Sequence, residues 1–270
     1  MSKFPEWYRQ EAIELYKCGL SYKNIADKLG VSIGYVAGVI QKEGIARTRA
    51  GTKGMFIKHD IFDVIDTEDK AYLLGFMVAD GFIKDRKEHE GGNLQKLVGL
   101  EIHRDDSYIL ERFSKLINCN NKLTEHKNCL VFRFHSDRVA EALSRFGVVE
   151  RKTGHERVDW LGDIRQDLQR HVLRGLIDGD GWVGTTIKAN KLLPNIGLTS
   201  SYECCLFVAK WFSDKLGIGL VSPARHIGCF VITYDGKSSC SKIAEYLYKD
   251  STICLDRKYN KAIEIISRWS

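Results

Sequence analysis

The chain has 270 residues, a hydrophobic fraction of 44% and a formal net charge of +6. This composition supports a complete hydrophobic core without disulfide bridges. The longest apolar run, residues 71–79, is too short to cross a bilayer. The spacing of the eight cysteines fits no zinc-ligand pattern. We therefore expect a reduced cytoplasmic protein of bacterial, phage or organellar origin, and its basic charge is a mild indication of a nucleic-acid partner.

Residues 1–41 predict three short helices. Apolar residues recur with helical spacing from Trp7 to Lys17, over residues 22–29 and after Ser32. Ser21 and Ser32 are placed to cap the second and third helices, and Gly30 supplies the turn between them. This order is typical of a helix-turn-helix DNA-binding domain. The alternative is a three-helix bundle without a DNA role, which the shortage of base-reading side chains in the third helix favours.

Residues 42–59 predict a basic linker between domains. Three glycines interrupt any helix, and there is one acidic residue. The five basic residues are Lys42, Arg47, Arg49, Lys53 and Lys58. Such a segment suits a phosphate backbone, although a solvated linker with incidental charge is an equal alternative.

Residues 60–158 and 159–270 read as two copies of one unit. Leu73–Gly81 and Leu173–Gly181 are both helical segments with a central glycine and an Asp-Gly end. Matching helix and strand patterns follow each of them, which predicts an αββαββα repeat. The predicted fold class is therefore α+β, with two pseudo-symmetric repeats that form a saddle of two antiparallel sheets and a small all-α domain before them.

The repeated glycines and aspartates call for a structural reason. A glycine inside a helix costs about 1 kcal/mol relative to alanine, so its recurrence indicates two helix backbones in close contact. Asp80 and Asp180 would then lie side by side. Asp-Gly commonly ends a helix, but a carboxylate is unfavourable there, and two of them repel unless a cation lies between. Helix termination therefore accounts for the glycines and not for the carboxylates.

Strand alternation predicts one buried and one open face in each sheet. In the strand over residues 129–135 the residues expected to face the helices are Leu130, Phe132 and Phe134. Those expected on the open face are Val131, Arg133 and His135. The matching positions of the second repeat hold Val231, Thr233 and Asp235. If these faces bind DNA, the two halves must contact different sequences.

The two motifs resemble the LAGLIDADG signature of homing endonucleases, and the resemblance extends over about residues 60–270. The first copy departs from it at the sixth position, where Val78 replaces an aspartate. The resemblance implies a monomeric endonuclease that makes a metal-dependent double-strand break in a long, asymmetric DNA target. It implies that Asp80 and Asp180 bind Mg²⁺ (or Mn²⁺), helped by the backbone carbonyls of Ala79 and Gly179. Hard oxygen ligands suit this cation, which activates water and neutralises charge at phosphorus.

The resemblance also implies a lysine near each centre that orients or deprotonates the attacking water. Lys152 and Lys258 match by their spacing from the aspartates and by the repeated acid-Arg-Lys triplet. The alternative is a pair of surface lysines at helix ends. The polar residues at the ends of the preceding strands, which are candidates for holding the water, are His103, Arg104, Thr199 and Ser200.

Candidate DNA contacts come from the third helix, the basic linker, the loops after the motifs and the open faces. They are Ser32, Tyr35, Lys42, Arg47, Arg49, Lys53, Lys84, Arg86, Lys87, His103, Arg104, Arg133, His135, Lys188, Lys191 and Arg225.

Two other functions remain open from the sequence. One is a non-cleaving nucleic-acid binder on the same fold, either an intron RNA maturase or a DNA-binding regulator. The other is a Mg²⁺ enzyme of a different class with Asp178 and Asp180 as a two-carboxylate site. The first repeat has no equivalent of Asp178, which disfavours the second of these.

Overall fold

The computed structural model describes residues 5–17, 20–45, 57–84 and 95–269. The chain divides into two compact units. The first comprises residues 1–58 with 117–121, and the second comprises residues 59–116 with 122–270. Most of the predicted linker, residues 46–56, lies outside the described residues. Within the described part of the chain, every helix is too short or too polar to span a bilayer.

The first unit contains three helices at the predicted positions: α1 (Glu6–Lys17), α2 (Tyr22–Leu29) and α3 (Ile33–Lys42). The hydroxyl of Ser21 accepts a hydrogen bond from the backbone amide of Asn24, and that of Ser32 accepts one from Tyr35, both at 3.1 Å. Gly30 ends α2 with a φ of 66°, a left-handed conformation that glycine adopts without strain. The helices enclose a small core of Ala12, Tyr16, Ile25, Val36 and Ile40.

The second unit begins with the first repeat. Its elements are α4 (Glu68–Ala79), β1 (Gly81–Lys84), β2 (Leu97–His103), α5 (Tyr108–Leu116), β3 (Thr124–His126), β4 (Cys129–His135) and α6 (Asp137–Ser144). The strands form an antiparallel sheet in the order β1-β2-β4-β3. This order of elements is the predicted αββαββα.

The second repeat has the same order and one further helix. Its elements are α7 (Gln166–Asp180), β5 (Gly181–Lys188), β6 (Lys191–Ser200), α8 (Tyr202–Leu216), β7 (Ala224–His226), β8 (Cys229–Tyr234), α9 (Lys237–Tyr248) and α10 (Asp256–Trp269). The second antiparallel sheet has the matching order β5-β6-β8-β7. Helix α10 was not predicted as a separate element, and it carries Lys258.

Burial in β4 follows the predicted alternation at Phe132, Arg133 and Phe134 and departs from it at Val131, while Leu130 and His135 are half-buried. Phe132 and Phe134 are buried against the ring of Phe113 in α5, with ring centroids 5.6 and 5.9 Å apart, whereas Arg133 is exposed. Val131 has the register parity of Arg133 and so lies on the predicted open face, but its side chain is buried, with an exposed fraction of 0%. It lies between Glu101 of β2 and Thr124 of β3 in the register, so neighbours on both sides cover its small side chain.

Candidate active site at the junction of the motif helices

Helices α4 and α7 are in direct backbone contact through their central glycines. A Cβ atom on Gly75 would lie 1.9 Å from the carbonyl oxygen of Val172, and one on Gly175 would lie 2.0 Å from that of Tyr72. Neither position accepts a side chain without moving a helix. The predicted close contact is therefore confirmed, and it is reciprocal between the repeats.

The same contact brings the two Asp-Gly ends together. A Cβ atom on Gly179 would lie 2.3 Å from Cβ of Ala79 and 3.2 Å from Oδ2 of Asp80. Asp80 caps α4 and Asp180 is the last residue of α7. The carboxylate that ends one motif helix thus lies against the end of the other helix.

Both carboxylates resist ionisation in this position. Burial raises the pKa of Asp80 to about 6, although the nearby ammonium groups of Lys152 and Lys258 oppose this shift. Burial and the neighbouring Asp80 raise the pKa of Asp180 to about 7. A bound cation would favour the ionised form of both groups and remove their mutual repulsion.

The donor set fits a hard divalent cation that keeps water and substrate ligands. The described residues contain no cluster of three or more His, Cys, Asp or Glu side chains suited to a metal, and the paired carboxylates here are those of Asp80 and Asp180. Mg²⁺ commonly binds through one or two carboxylates together with waters and substrate phosphates. The donor set therefore suits a hard divalent cation and does not provide the closed cage of a structural site.

Lys152 is buried beside the end of α4. Its exposed fraction is 8%, and its ammonium donates to the carbonyl of Val78 at 2.7 Å and to that of Ala79. Burial lowers its pKa, and the nearby Asp180 carboxylate is the largest opposing influence. The Ala79 carbonyl, a predicted metal ligand, therefore already accepts one hydrogen bond.

Lys258 is buried beside the end of α7 in the same way, and it donates to three carbonyls there rather than two. Its ammonium donates to the carbonyls of Ile177 and Asp178 at 2.7 Å and to that of Gly181 at 2.6 Å. These three acceptors match the three protons of an ammonium group. Burial lowers its pKa to about 8. The surface alternative is wrong for both lysines, since Lys258 is only 4% exposed.

Asp178, two residues before Asp180, has a different environment. Its carboxylate is 1% exposed and accepts hydrogen bonds from the hydroxyls of Tyr72 at 2.8 Å and Tyr248 at 2.6 Å, and from the amide of Leu255 at 2.8 Å. With three donors on two buried oxygens, it is a structural acceptor. This geometry does not support the alternative that Asp178 and Asp180 form a two-carboxylate metal site.

Sequence reasoning missed two further carboxylates near the centre. Glu101 of β2 acts against the ionisation of Asp80, and its Oε1 lies 2.8 Å from Nδ1 of His126. Glu156 is 7% exposed, accepts from the amide of Gly154 at 3.0 Å and opposes the ionisation of Asp180. The sequence contains a signal for Glu101, because strand alternation places it on the open face. Glu156 lies in an irregular segment, where no local pattern indicates its position.

Strand register places four of the predicted DNA contacts of the first repeat on one surface. Lys84 and His135 flank Leu97, Arg133 is opposite Gly99, and His103 is opposite Cys129. Along their strands these residues alternate in step with Glu101, so they lie on the same open face as Glu101. Among these residues, Lys84, His103 and Arg133 are exposed and His135 is half-buried.

In the second repeat the open face is less basic. Lys188 and Lys191 are opposite each other at the end of the β5–β6 hairpin and both are exposed. Lys188 forms an ion pair with Asp235, which reduces its net positive charge. Thr233, at the position that matches Arg133, is opposite Gly197 as Arg133 is opposite Gly99, so the two open faces carry different side chains at equivalent positions.

Two of the remaining predicted side chains of the strands lie off the open faces, and five predicted contacts lie outside the described residues. Arg225 pairs with Phe230, which has the parity of the buried Ile232, so the register places Arg225 on the helix-facing side rather than the open face. Ser200 is buried on that side as well, and only Thr199 of that pair lies on the open face. The predicted contacts outside the described residues are Arg47, Arg49, Lys53, Arg86 and Lys87.

The other predicted contacts are at the surface. Ser32 and Lys42 are exposed and Tyr35 is half-buried on α3. Arg104 is exposed and lies 3.2 Å from Glu125, so it is partly neutralised. These placements are compatible with DNA contact.

Comparison with known proteins identifies the fold. No protein-family model and no curated protein matches the sequence. Among solved structures, the chain is similar to LAGLIDADG meganuclease I-CpaMI bound to uncleaved DNA, with a TM-score of 0.55, 12% identity and coverage of 75% of this chain and 92% of that chain. It is also similar to I-SmaMI bound to its uncleaved DNA target in the presence of calcium ions, with a TM-score of 0.54, 12% identity and coverage of 75% of this chain and 90% of that chain. LAGLIDADG meganuclease I-AabMI bound to uncleaved DNA has a TM-score of 0.53 and 13% identity, with coverage of 73% of this chain and 88% of that chain.

Proposed function

We propose that this chain, which has the fold of the LAGLIDADG homing endonucleases, is a metal-dependent endonuclease that makes a double-strand break in DNA. The observation that carries the proposal is the meeting of Asp80 and Asp180 at the ends of two helices in backbone contact. The raised pKa of both carboxylates supports a cation between them. The retention of both aspartates favours cleavage over a non-cleaving maturase or regulator.

Asp80 and Asp180 would hold Mg²⁺ or Mn²⁺, with the carbonyls of Ala79 and Gly179 nearby. When bound, the cation supplies an activated water, neutralises charge on the scissile phosphate and stabilises the leaving oxygen. The chain itself supplies position: the glycine contact fixes the two carboxylates relative to each other. Preorganisation of this kind lowers the barrier because little reorganisation is needed during the reaction.

The two lysines have unequal roles in this proposal. The described residues supply two carbonyl acceptors for Lys152, which leaves one N–H for the attacking water or a phosphate oxygen. Lys258 gives its three N–H groups to the carbonyls around Asp180. We therefore assign Lys152 to direct contact and Lys258 to holding the turn that bears Asp180.

The open faces of the two sheets would bind the DNA duplex. Lys84 and Arg133 give the first face its positive charge, and Lys188 with Lys191 contributes at the tip of the second. Phosphate contacts would fix the position of the duplex, while unequal faces would contact unequal half-sites. This supports a long, asymmetric target for a single chain that contains both halves.

The three-helix unit would add a second DNA contact. Ser32, Tyr35 and Lys42 lie at the surface of α3 or at its ends. A tethered second binding unit raises affinity through effective concentration. The basic linker, including Arg47, Arg49 and Lys53, would lie along the phosphate backbone between the two contacts.

The test starts with target selection from a randomised duplex DNA library with the full chain. A plasmid carrying the selected site is then incubated with protein in Mg²⁺ or in EDTA. We expect linear product in Mg²⁺ and none in EDTA. Tight, site-specific binding in Mg²⁺ without any strand break would instead support a non-cleaving binder.

A further inference from the structure

Residues 252–256, which end the connection from α9 and begin α10, are held mostly by side chains from other elements. Thr252 donates its amide to Glu68 Oε1 at 2.8 Å, and its carbonyl accepts from Arg112 at 2.6 Å. The carbonyl of Ile253 accepts from Arg174 Nε at 2.9 Å. We call residues 252–256 the clamped segment.

Its C-terminal half is held in the same way. The hydroxyl of Tyr108 donates to the carbonyl of Cys254 at 2.9 Å and accepts from the amide of Asp256 at 2.7 Å. The amide of Leu255 donates to Asp178 Oδ2 at 2.8 Å. One hydroxyl thus bridges two backbone groups at the start of α10, and a buried carboxylate binds the amide between them.

The clamped segment belongs to the second repeat, but most of its holders do not. Glu68, Tyr108 and Arg112 come from the first repeat, at the start of α4 and in α5. Arg174 and Asp178 come from α7, and Arg174 also donates to Glu68 at 2.6 Å. Arg174 is fully buried, so its hydrogen bonds lie in a low-dielectric environment where they are strong and costly to break.

The clamped segment leads directly to Lys258, in the first turn of α10. The carbonyls that accept from Lys258, those of Ile177, Asp178 and Gly181, surround Asp180 along the chain. A displacement of the start of α10 would therefore move the ammonium off these carbonyls. The turn that bears Asp180 would then lose its cap.

The first half has a weaker version of this arrangement. Lys152 has no following helix comparable to α10 in the described residues, and Ser201 donates to the carbonyl of Glu156 at 2.5 Å. Tyr202, which matches Tyr108 in the repeat, is 43% exposed and packs on the ring of Phe230 with centroids 5.2 Å apart. The bridge that the Tyr108 hydroxyl forms between Cys254 and Asp256 is therefore a feature of one half of the molecule.

We propose that Tyr108 is a positioning residue: through the clamped segment it fixes Lys258 and the turn that bears Asp180, so that the first repeat controls the strand cut that depends on Asp180. The cleavage consequence rests on the proposed endonuclease function. The effect of Tyr108 on the position of Lys258 and of the turn that bears Asp180 does not rest on that function, and it is measurable without DNA.

The DNA-free test is hydrogen exchange of the full chain, read by mass spectrometry, with Tyr108→Phe and Tyr202→Phe as matched variants. Tyr108→Phe removes the bridging oxygen and keeps the ring. We expect exchange about tenfold faster in peptides over residues 254–258 and 177–183, with no change there in Tyr202→Phe. Wild-type protection of residues 177–183 in Tyr108→Phe would overturn the proposal.

The cleavage test uses a plasmid with the selected site and separately labelled strands, in Mg²⁺. We expect Tyr108→Phe to slow one strand about tenfold and the other by about twofold or less, the size of effect typical of outer positioning groups. Nicked circles would accumulate, whereas Tyr202→Phe would match the wild type. Equal slowing of both strands would overturn the positioning role. A wild-type chain that cuts no DNA would instead refute the endonuclease function, and the exchange result would still decide whether the clamp exists.

Discussion

The hydroxyl of Tyr72 in α4 donates a 2.8 Å hydrogen bond to the carboxylate of Asp178 in α7, at a point where both side chains are buried. This bond joins the two repeats directly. The first repeat has Val78 in the matching place, without a carboxylate. The sixth position of the second motif is therefore a structural position, and the two motif helices differ there.

Replacement of Asp178 by valine tests this interpretation. Two buried hydroxyls and the amide of Leu255 would lose their acceptor, so we expect the free energy of unfolding to fall by about 3 kcal/mol. Tyr72→Phe is the control and should cost about 1 kcal/mol, because Asp178 keeps two donors. Urea unfolding measures both, and a valine variant as stable as wild type would contradict the assignment.

The glycine contact predicts a large effect of a single methyl group. Gly175→Ala would place a carbon within 2.0 Å of the Tyr72 carbonyl oxygen, so the helices must separate. We expect a loss of about 3 kcal/mol in the free energy of unfolding. Gly219→Ala is the matched control, since a Cβ there meets no atom within 4 Å and should change stability by about 0.5 kcal/mol or less. Similar effects of the two substitutions would contradict the close contact.

The carboxylate pair should make the metal-free protein less stable as pH rises. The pKa of Asp180 is about 7 in the folded state and 3.8 ordinarily, so the folded state binds more protons between these values. Stability therefore decreases from pH 4 to 7, and the penalty is complete above pH 7. In EDTA at pH 8, Asp180→Asn should be more stable than wild type by on the order of 2 kcal/mol.

Thermal unfolding in EDTA and in Mg²⁺ measures this effect. Mg²⁺ should raise the melting temperature of the wild type much more than that of the Asn variant, because ligand binding stabilises the state that binds it. An Asn variant less stable than wild type in EDTA at pH 8 would show that the Asp180 carboxylate is not under electrostatic strain.

Removal of residues 1–50 tests the role of the three-helix unit. If this unit and the following basic linker contact DNA, the truncated chain should bind the selected site more weakly, and its affinity should depend less steeply on salt. Gel-shift titrations at several salt concentrations give both quantities. An unchanged affinity and footprint would mean that the helices have another role.

The repeat, the fold class and the two central aspartates followed from local patterns in the sequence. Helix period, strand alternation and the repeated Asp-Gly ends are visible within short segments, and the internal repeat supports each of them twice. The burial of Val131 and the face of Arg225 depend on neighbouring strands, and a change of one residue in register reverses a side chain.

The surroundings of the site could not be predicted in the same way. The acceptors of Lys258, the donors to Asp178 and the clamped segment join residues about 70 to 180 positions apart in the chain. No local pattern encodes such pairs, and the sequence therefore predicted equal lysines where the structure has unequal ones.

The central claim is that Asp80 and Asp180 together support metal-dependent cleavage. The most direct measurement compares strand cleavage and binding by wild type, Asp80→Asn and Asp180→Asn on the selected site in Mg²⁺. We expect wild type to produce double-strand breaks, whereas both variants bind the site and produce none. Double-strand cleavage by either variant at the wild-type rate would contradict this claim.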